Sequence, residues 1–266
     1  NLIFQMGAEI ARQCKLIGVN INFAPVVDVN SNPKNPIINN RSFGEDPFKV
    51  AQLSLAYMRG LQENNVLACA KHFPGHGDTD QDSHKTLPLV NHNRETLDKI
   101  DIYPFKKLID NGLGSIMTAH LYIPSLEENK LLPVSLSKKV VTDLLVTELN
   151  FKGLKFTDGL NMKAVSDLYS SGELDVKALI AGNDVLLCAE DVPLAIEKIK
   201  EALNNGLISN KEIEEKCRKI LLAKKWMKLD SYTPLLIEEI KNNICQENTL
   251  VINNKLVKSS LTLFQN

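Results

Sequence analysis

Short apolar segments alternate with helical patterns along most of the chain, and no other property of the sequence limits its possible folds as strongly. Apolar runs of strand length occupy 19–29, 66–73, 115–120, 154–158 and 185–188. Amphipathic patterns typical of helices occupy 2–16, 48–64, 95–111, 138–149, 193–204 and 210–227. Short strands separated by helices predict βα units, and such units build a parallel sheet.

Polar residues follow the predicted strands at the points where those strands end. Asp28, Lys71, His120 and Asp158 occupy such positions. A (β/α)8 barrel gathers residues of this kind, because its active site is built from the loops after the strands. A doubly wound open sheet also binds ligands at the carboxyl ends of its strands, so the periodicity leaves both folds open. For Asp28 and His120, a place in the pocket and a satisfied place in the core are equally compatible with the sequence.

The loop 71–84 reads Lys-His-Phe-Pro-Gly-His-Gly-Asp-Thr-Asp-Gln-Asp-Ser-His and carries three histidines and three aspartates. His72 and His76 have the i, i+4 spacing of a helical zinc site, but the neighbouring Pro and Gly residues disfavour a helix, and we expect His76 to pack the loop. The Asp-Ser-His sequence at 82–84 indicates proton transfer instead. A carboxylate bonded to one imidazole nitrogen fixes the tautomer and leaves the other nitrogen to exchange a proton near neutral pH. The alternative is a polar loop that merely contains a histidine.

This loop resembles the long signature of glycoside hydrolase family 3, in its β-N-acetylglucosaminidase branch. That signature reads K-H-F-P-G-H-G, four residues, then D-S-H, and all of its positions are present in order from Lys71 to His84. A second segment, 156–162, resembles the family's S-D-x-L-x-M nucleophile segment, with Thr157 in place of the usual Ser and Gly159 where many relatives have a second Asp. The resemblance implies an α/β fold of the (β/α)8 barrel type.

The resemblance also implies the two catalytic groups that retaining glycoside hydrolysis requires. One group is a nucleophile on one face of the anomeric carbon, and the other is an acid/base on the leaving-group side. Asp158 is the implied nucleophile, and His84 is the implied acid/base, with Asp82 as the partner that stabilises its imidazolium. The alternative for Asp158 is a cap for the following helix, a common use of Asp before an apolar run.

Four further residues are implied to contact the sugar. Lys71 and His72 resemble the pair that hydrogen-bonds sugar hydroxyls, Arg41 resembles the arginine that reaches the same sugar, and Met162 lines the pocket wall. Arg41 has the alternative of an ordinary ion pair with Asp46, and Met162 has that of a core residue. No metal ion and no organic cofactor is implied.

The activity implied by the resemblance is that of a retaining exo-β-N-acetylglucosaminidase. The implied natural substrates are cell-wall muropeptides, in which N-acetylglucosamine is linked to anhydro-N-acetylmuramic acid. A family 3 β-glucosidase is one alternative, although those relatives usually lack D-S-H and supply a Glu acid/base from a second domain. A phosphorylase is another, because a histidine acid/base does not repel an incoming phosphate as a carboxylate would. A non-enzymatic sugar-binding module predicts a missing nucleophile or dyad, and both are present.

Only about five strands can be counted, whereas a closed barrel has eight. We therefore expect residues 1–229 to be a catalytic barrel whose first strands precede Asn1, in a region where family members carry a further substrate-binding Asp. Residues 230–266 are expected to be a linker helix, at 234–246, followed from Leu256 by the start of a second, α/β sandwich domain.

Composition narrows the partners and the compartment. The net charge of −1 gives no electrostatic reason to expect nucleic acid as a partner. No apolar stretch approaches the ~20 residues of a membrane span. The five cysteines are widely spaced and odd in number, which predicts free, mostly buried thiols. Free thiols favour a reducing compartment such as the bacterial cytoplasm, and the periplasm or cell envelope stays open.

Overall fold

A parallel sheet forms the centre of the molecule. The computed structural model describes residues 2–79, 87–129, 132–231 and 236–262, and within them five strands form one sheet. The strands are β1 (Ile21–Asn22), β2 (Leu67–Phe73), β3 (Ser115–Thr118), β4 (Leu154–Gly159) and β5 (Val185–Leu187). They lie side by side in chain order and pair in parallel, which confirms the predicted α/β fold with a parallel sheet. The order of these strands is not that of a doubly wound sheet, in which the order reverses at a switch point.

Helices connect the strands and cover the sheet. They are α1 (Leu2–Leu16), α2 (Pro47–Gln62), α3 (Arg94–Thr96), α4 (Ile102–Ile109), α5 (Lys163–Ser166), α6 (Glu173–Ala181), α7 (Val192–Asn204), α8 (Asn210–Trp226), α9 (Ile237–Asn243) and α10 (Glu247–Ser260). Two stretches have π-helical hydrogen bonding: Leu97–Asp101 joins α3 to α4, and Lys139–Glu148 lies between β3 and β4.

Capping residues in the sequence account for where the two longest helices begin. The Asp46 side chain accepts hydrogen bonds from the backbone N–H groups of Phe48 and Lys49, immediately before α2. Ser209 and Glu212 form a reciprocal capping box at the start of α8. These contacts satisfy N–H groups that have no partner inside the helix, and each cap contributes about 1 kcal/mol.

The three central strands, β2, β3 and β4, are largely buried on both faces, as expected for a parallel sheet with covering helices. Successive side chains of a strand point to opposite faces. Ala68 of β2 therefore belongs to the large core that includes Phe105 of α4, while its neighbour Cys69 packs with Met117 and Met227 in a second cluster. The two clusters hold the strands in register, so the carboxyl ends of neighbouring strands come together at one edge.

Three elements differ from the sequence predictions. The strand predicted at 19–29 forms only over Ile21–Asn22, because Pro25 lacks the N–H that the hydrogen-bond ladder of a sheet requires. Beyond it, Val26 makes one isolated bridge to Lys71. Helices α5 and α6 were not predicted. In α6, Asp175 is buried whereas Ile180 is 41% exposed. The apolar residues of this helix therefore do not mark its buried side, and the sequence pattern did not reveal the helix.

The last helices pack on the first one. The predicted helix at 234–246 is present as α9, and α10 follows it although no helix was predicted there. Arg12 of α1 donates from Nη1 to the carbonyl of Asn243 (2.6 Å), and Thr249 of α10 donates to Glu9 Oε1 (2.6 Å). Residues 256–260, predicted to start a second domain, form the end of α10, and the second domain itself stays a prediction.

The cysteines are free, as predicted, but most are not buried. All five lie in the described ranges: Cys69 is buried, Cys14 is half-buried, and Cys188, Cys217 and Cys245 are exposed. The prediction of mostly buried thiols is therefore wrong, because two of the exposed cysteines lie on the outward side of α8 and on the turn after α9. Within the described ranges, no helix has both the length and the apolar character needed to cross a membrane.

Candidate active site

A cavity of about 290 Å³ opens at the carboxyl ends of the strands. It is lined by Phe23, Ile37, Arg41, Lys71, His72, His76, Met117, Asp158, Gly159, Met162, Leu187 and Cys188. This lining contains all five predicted site residues that the structure describes. The predicted acid/base pair, Asp82 and His84, lies outside the described residues.

Asp158 ends β4 with its carboxylate at the cavity. Its Oδ1 accepts a hydrogen bond from the backbone N–H of Gly159 (2.9 Å). Burial alone would raise its pKa, but electrostatic interactions with His72 and His120, the hydrogen bond from the Gly159 N–H and the Lys71 charge outweigh it, so the pKa is lowered from 3.8. The carboxylate is therefore ionised at neutral pH. The alternative role as a helix cap is wrong, because Met162 occupies the cap position of α5.

Two cationic side chains share the cavity with this carboxylate. Lys71 lies two residues before the end of β2. Its pKa is lowered by burial and by the neighbouring Arg41 charge, against the opposing effect of Asp158. Arg41 ends the 3-10 turn Asn39–Arg41 and donates from Nη1 to the Ile37 carbonyl (3.1 Å). Asp46 caps α2, as described above, so its carboxylate already has a role apart from Arg41. The cavity thus offers donors to electron-rich oxygen atoms of a ligand.

Asp28 holds the histidine-containing loop from beneath, and it is fully buried. One carboxylate accepts the backbone N–H of His72 (3.1 Å), the backbone N–H of His76 (2.8 Å) and the Nδ1–H of His72 (2.7 Å). Burial raises the pKa of Asp28, but His72 and His76 outweigh that effect and lower it from 3.8. The sequence left the role of Asp28 open, and the structure shows that it positions His72 without lining the cavity.

Replacing Asp28 by Asn should destabilise the protein by about 3 kcal/mol, because an amide NH₂ would face backbone donors inside the fold. The stability that Asp28 contributes is complete above its unfolded pKa, near 3.8, and is lost as the pH falls through the lowered folded value. Denaturant unfolding at neutral and acidic pH measures both effects. Asp98→Asn, which removes an exposed ion pair with Arg94, is the control and should cost less than about 1 kcal/mol. Equal losses in the two variants would contradict this role of Asp28.

His76 packs the loop, as predicted, and also lines the cavity. Thr79 donates its hydroxyl hydrogen to the His76 carbonyl (3.1 Å), so its Oγ1 accepts from His76 Nδ1–H (2.7 Å). Within the described part of the chain, His76 Nε2 is buried and has no hydrogen-bond partner. Burial lowers the His76 pKa, so the neutral ring presents Nε2 as an acceptor beside the cavity it lines.

His120 is a satisfied core histidine and does not line the cavity. Its Nε2–H donates to the carbonyl of Gly159 (3.1 Å), and its Nδ1 accepts from the Ser135 hydroxyl (2.7 Å). Burial lowers its pKa, so the ring is neutral. His120 therefore fixes the backbone directly after Asp158.

Several cavity residues were not singled out in the sequence. Phe23 and Ile37 come from the segments before and after Asp28, while Leu187 ends β5 and Cys188 follows it. The only available signal was position, since Leu187 and Cys188 end the strand predicted at 185–188. Among the described residues, no group of three or more His, Cys, Asp or Glu side chains is arranged to hold a metal ion.

The fold and the cavity together define an α/β domain with its polar site at the carboxyl ends of sequentially ordered parallel strands. A family model described as the glycosyl hydrolase family 3 N terminal domain matches residues 1–223. The chain therefore belongs to glycoside hydrolase family 3.

Individual relatives agree with this assignment. The chain is 40% identical over 202 residues to β-hexosaminidase A of Pseudoalteromonas piscicida, covering 72% of this chain and 33% of that protein. It is 36% identical over 213 residues to β-hexosaminidase LpqI of Mycobacterium tuberculosis, covering 76% of this chain and 53% of that protein. The family 3 β-N-acetylglucosaminidase of Paenibacillus sp. str. FPU-7 superposes with a TM-score of 0.90 at 35% identity, covering 100% of this chain and 52% of that one. The chain thus spans between a third and about half of the length of these relatives.

Proposed function

We propose that this chain carries the nucleophile half of the active site of a retaining exo-β-N-acetylglucosaminidase. The observation that carries the proposal is the ionised Asp158 carboxylate at the end of β4, in one cavity with Lys71, His72 and Arg41. Attack by this carboxylate on the anomeric carbon would form a glycosyl-Asp158 ester, and water would then hydrolyse it with overall retention.

Binding of the sugar is assigned to the remaining cavity residues. Lys71 and Arg41 donate hydrogen bonds to hydroxyl or carbonyl oxygens, and their charges suit a cavity that also holds an anionic nucleophile. His72 is held by Asp28, so it meets the sugar in one orientation. Met162 presents an apolar wall beside Asp158.

The acid/base role is assigned to His84, with Asp82 as its partner. Asp82 and His84 follow Thr79 closely in the chain, and Thr79 is hydrogen-bonded to the cavity residue His76. Five residues span at most ~17 Å, so His84 can reach the cavity from Thr79. We further propose that the described sheet is part of a (β/α)8 barrel, that a second α/β sandwich domain follows, and that peptidoglycan muropeptides are the natural substrates.

Labelling with a 5-fluoro derivative of an activated N-acetylglucosaminyl donor tests the nucleophile. The electronegative fluorine slows both displacements, and a good leaving group lets the first one proceed, so the ester should accumulate on Asp158. Peptide mass spectrometry of the labelled full-length protein locates the sugar. A label on another carboxylate, or a product released with inverted configuration, would rule out this assignment.

Phosphorolysis is the second candidate function, and one observation favours it. The chain superposes on the β-glucoside phosphorylase BglX with a TM-score of 0.93 at 25% identity, over 100% of this chain and 49% of that one. The candidates are distinguished by measuring cleavage rates and products. The substrates are an aryl β-N-acetylglucosaminide and an aryl β-glucoside, each with and without phosphate. Formation of a sugar 1-phosphate would identify a phosphorylase, and faster cleavage of the glucoside would identify a β-glucosidase.

A further inference from the structure

His92 lies between two carboxylates, outside the cavity. Its Nδ1 is 2.8 Å from Asp101 Oδ2, and its Nε2 is 3.0 Å from Asp78 Oδ2. Asp101 is fully buried, whereas the Asp78 and His92 side chains are about one-third and one-fifth exposed. The ring therefore bridges the loop after β2, which contains Asp78, to the π-helical stretch Leu97–Asp101.

Only the protonated ring satisfies both contacts. A carboxylate oxygen accepts hydrogen bonds, and a neutral imidazole has one N–H donor and one lone pair. In a neutral His92, one ring nitrogen would direct its lone pair at a carboxylate, and that contact would become repulsive. The imidazolium donates on both sides and places a positive charge between two negative ones.

The bridged loop is packed closely against Asp101. Gly75 has φ +139°, and a Cβ added there would lie 2.6 Å from the Asp101 Cβ, so backbone and side chain are in direct contact. On the other side, Asn35 Nδ2 donates to the His76 carbonyl (2.8 Å), and Asp28 accepts the His76 N–H. Asp78 thus attaches the far end of segment 75–79, and His76 of the same segment lines the cavity.

We propose that His92 is a positioning residue: its imidazolium ties Asp78 to Asp101 and thereby holds segment 75–79, which carries His76, in place beside the cavity. This inference rests on the proposed function, because the cavity it serves is the proposed active site. The tie is present while His92 is protonated and is lost when the ring becomes neutral.

The charges around His92 set the pH range of the tie. Its hydrogen bond to Asp101 raises the His92 pKa above 6.5, partial burial opposes this, and the charges of Asp101 and Asp78 add to the rise. Burial raises the pKa of Asp101, which also faces Asp78 and Asp28. The folded pKa of His92 is raised, so the titration of His92 leaves the stability from the tie complete below pH 6.5. That stability is lost as the pH rises through the raised value. Protonation of Asp101 limits the tie in acid.

Three variants of the full-length protein test this role. His92→Gln removes the charge, His92→Arg keeps a permanent cation with donors on both sides, and Asp78→Asn removes one end of the tie. The melting temperature of His92→Gln should fall about 3 °C below wild type under pH 6.5, and this gap should close at alkaline pH. His92→Gln and Asp78→Asn should be non-additive, since both remove the same contact. A gap that does not change with pH, or full additivity, would overturn the tie.

The catalytic part of the inference has a separate readout. The ratio of wild-type to His92→Gln kcat/KM on an aryl β-N-acetylglucosaminide should be roughly tenfold below pH 6.5 and approach one in alkali. Titration of any group common to both proteins cancels in this ratio. His92→Arg should match wild-type kcat/KM below pH 6.5 and exceed it in alkali, where only the wild-type tie is lost. A pH-dependent melting gap with a constant activity ratio would overturn the positioning role, and absence of hydrolysis in wild type would refute the proposed function while the melting data still test the tie.

Discussion

Replacing Asp158 by Gly should lower kcat for an aryl β-N-acetylglucosaminide by on the order of 10⁴-fold, because no other described carboxylate lines the cavity to attack the anomeric carbon. Stability should change little. Within the part of the chain that the structure describes, the Asp158 side chain accepts one hydrogen bond, from the backbone N–H of Gly159, and burial of its charge opposes ionisation. Initial rates and thermal unfolding of the purified variant measure the two effects. Asp167→Asn removes an exposed carboxylate that follows β4 in the chain. This variant is the matched control and should keep full activity.

Added azide gives a sharper test of the Asp158→Gly variant. The substitution leaves space where the carboxylate was, and a small anion can attack the anomeric carbon from that face in a single displacement. One displacement inverts configuration, so the product should be the α-glycosyl azide. Recovery of activity with a β-glycosyl azide, or no loss of activity in the variant, would show that another group is the nucleophile.

The part of the site that lies at strand ends was predictable from the sequence. Lys71 and His72 lie near the end of the strand predicted at 66–73, and Asp158 ends the strand predicted at 154–158. Parallel strands present their carboxyl ends at one edge. The order of the strands was not predictable from periodicity, because it depends on which helices cover which face. The family resemblance supplied that choice, and the observed order β1 to β5 agrees with it.

The part of the site that depends on tertiary hydrogen bonds was not predictable. Asp28 could have lined the pocket or filled the core, and only its contacts with His72 and His76 show that it is buried outside the cavity and positions His72. His92 carried no signal, since its two carboxylate partners are 14 positions before and 9 positions after it in sequence and meet only when the loop packs on the π-helical stretch Leu97–Asp101. Such contacts connect loops, whose paths are not fixed by the periodicity of any element.

Replacing His84 by Ala should slow cleavage of a natural disaccharide by roughly 100-fold or more, the usual contribution of a general acid. Protonating the leaving oxygen matters most when the leaving group is a poor one, such as another sugar. It matters little for an acidic phenol that departs unaided. The first step with an activated aryl glycoside should therefore be much less affected. Asp82→Asn should give a milder form of the same pattern, because it removes the partner that orients and charges the imidazole.

The dependence on the leaving group distinguishes His84 from a conventional carboxylic acid elsewhere in the site. Hydrolysis of the glycosyl-Asp158 ester still needs a base, so the ester should accumulate in His84→Ala and react with azide. Because two displacements restore configuration, this variant should form the β-glycosyl azide, the opposite anomer to that from Asp158→Gly. The measurement is kcat/KM across aryl leaving groups of graded pKa for wild type and variant. The slope of log kcat/KM against leaving-group pKa should steepen when the acid is lost. An unchanged slope would mean that His84 does not protonate the leaving group. The acid would then have to be sought among carboxylates outside the described cavity.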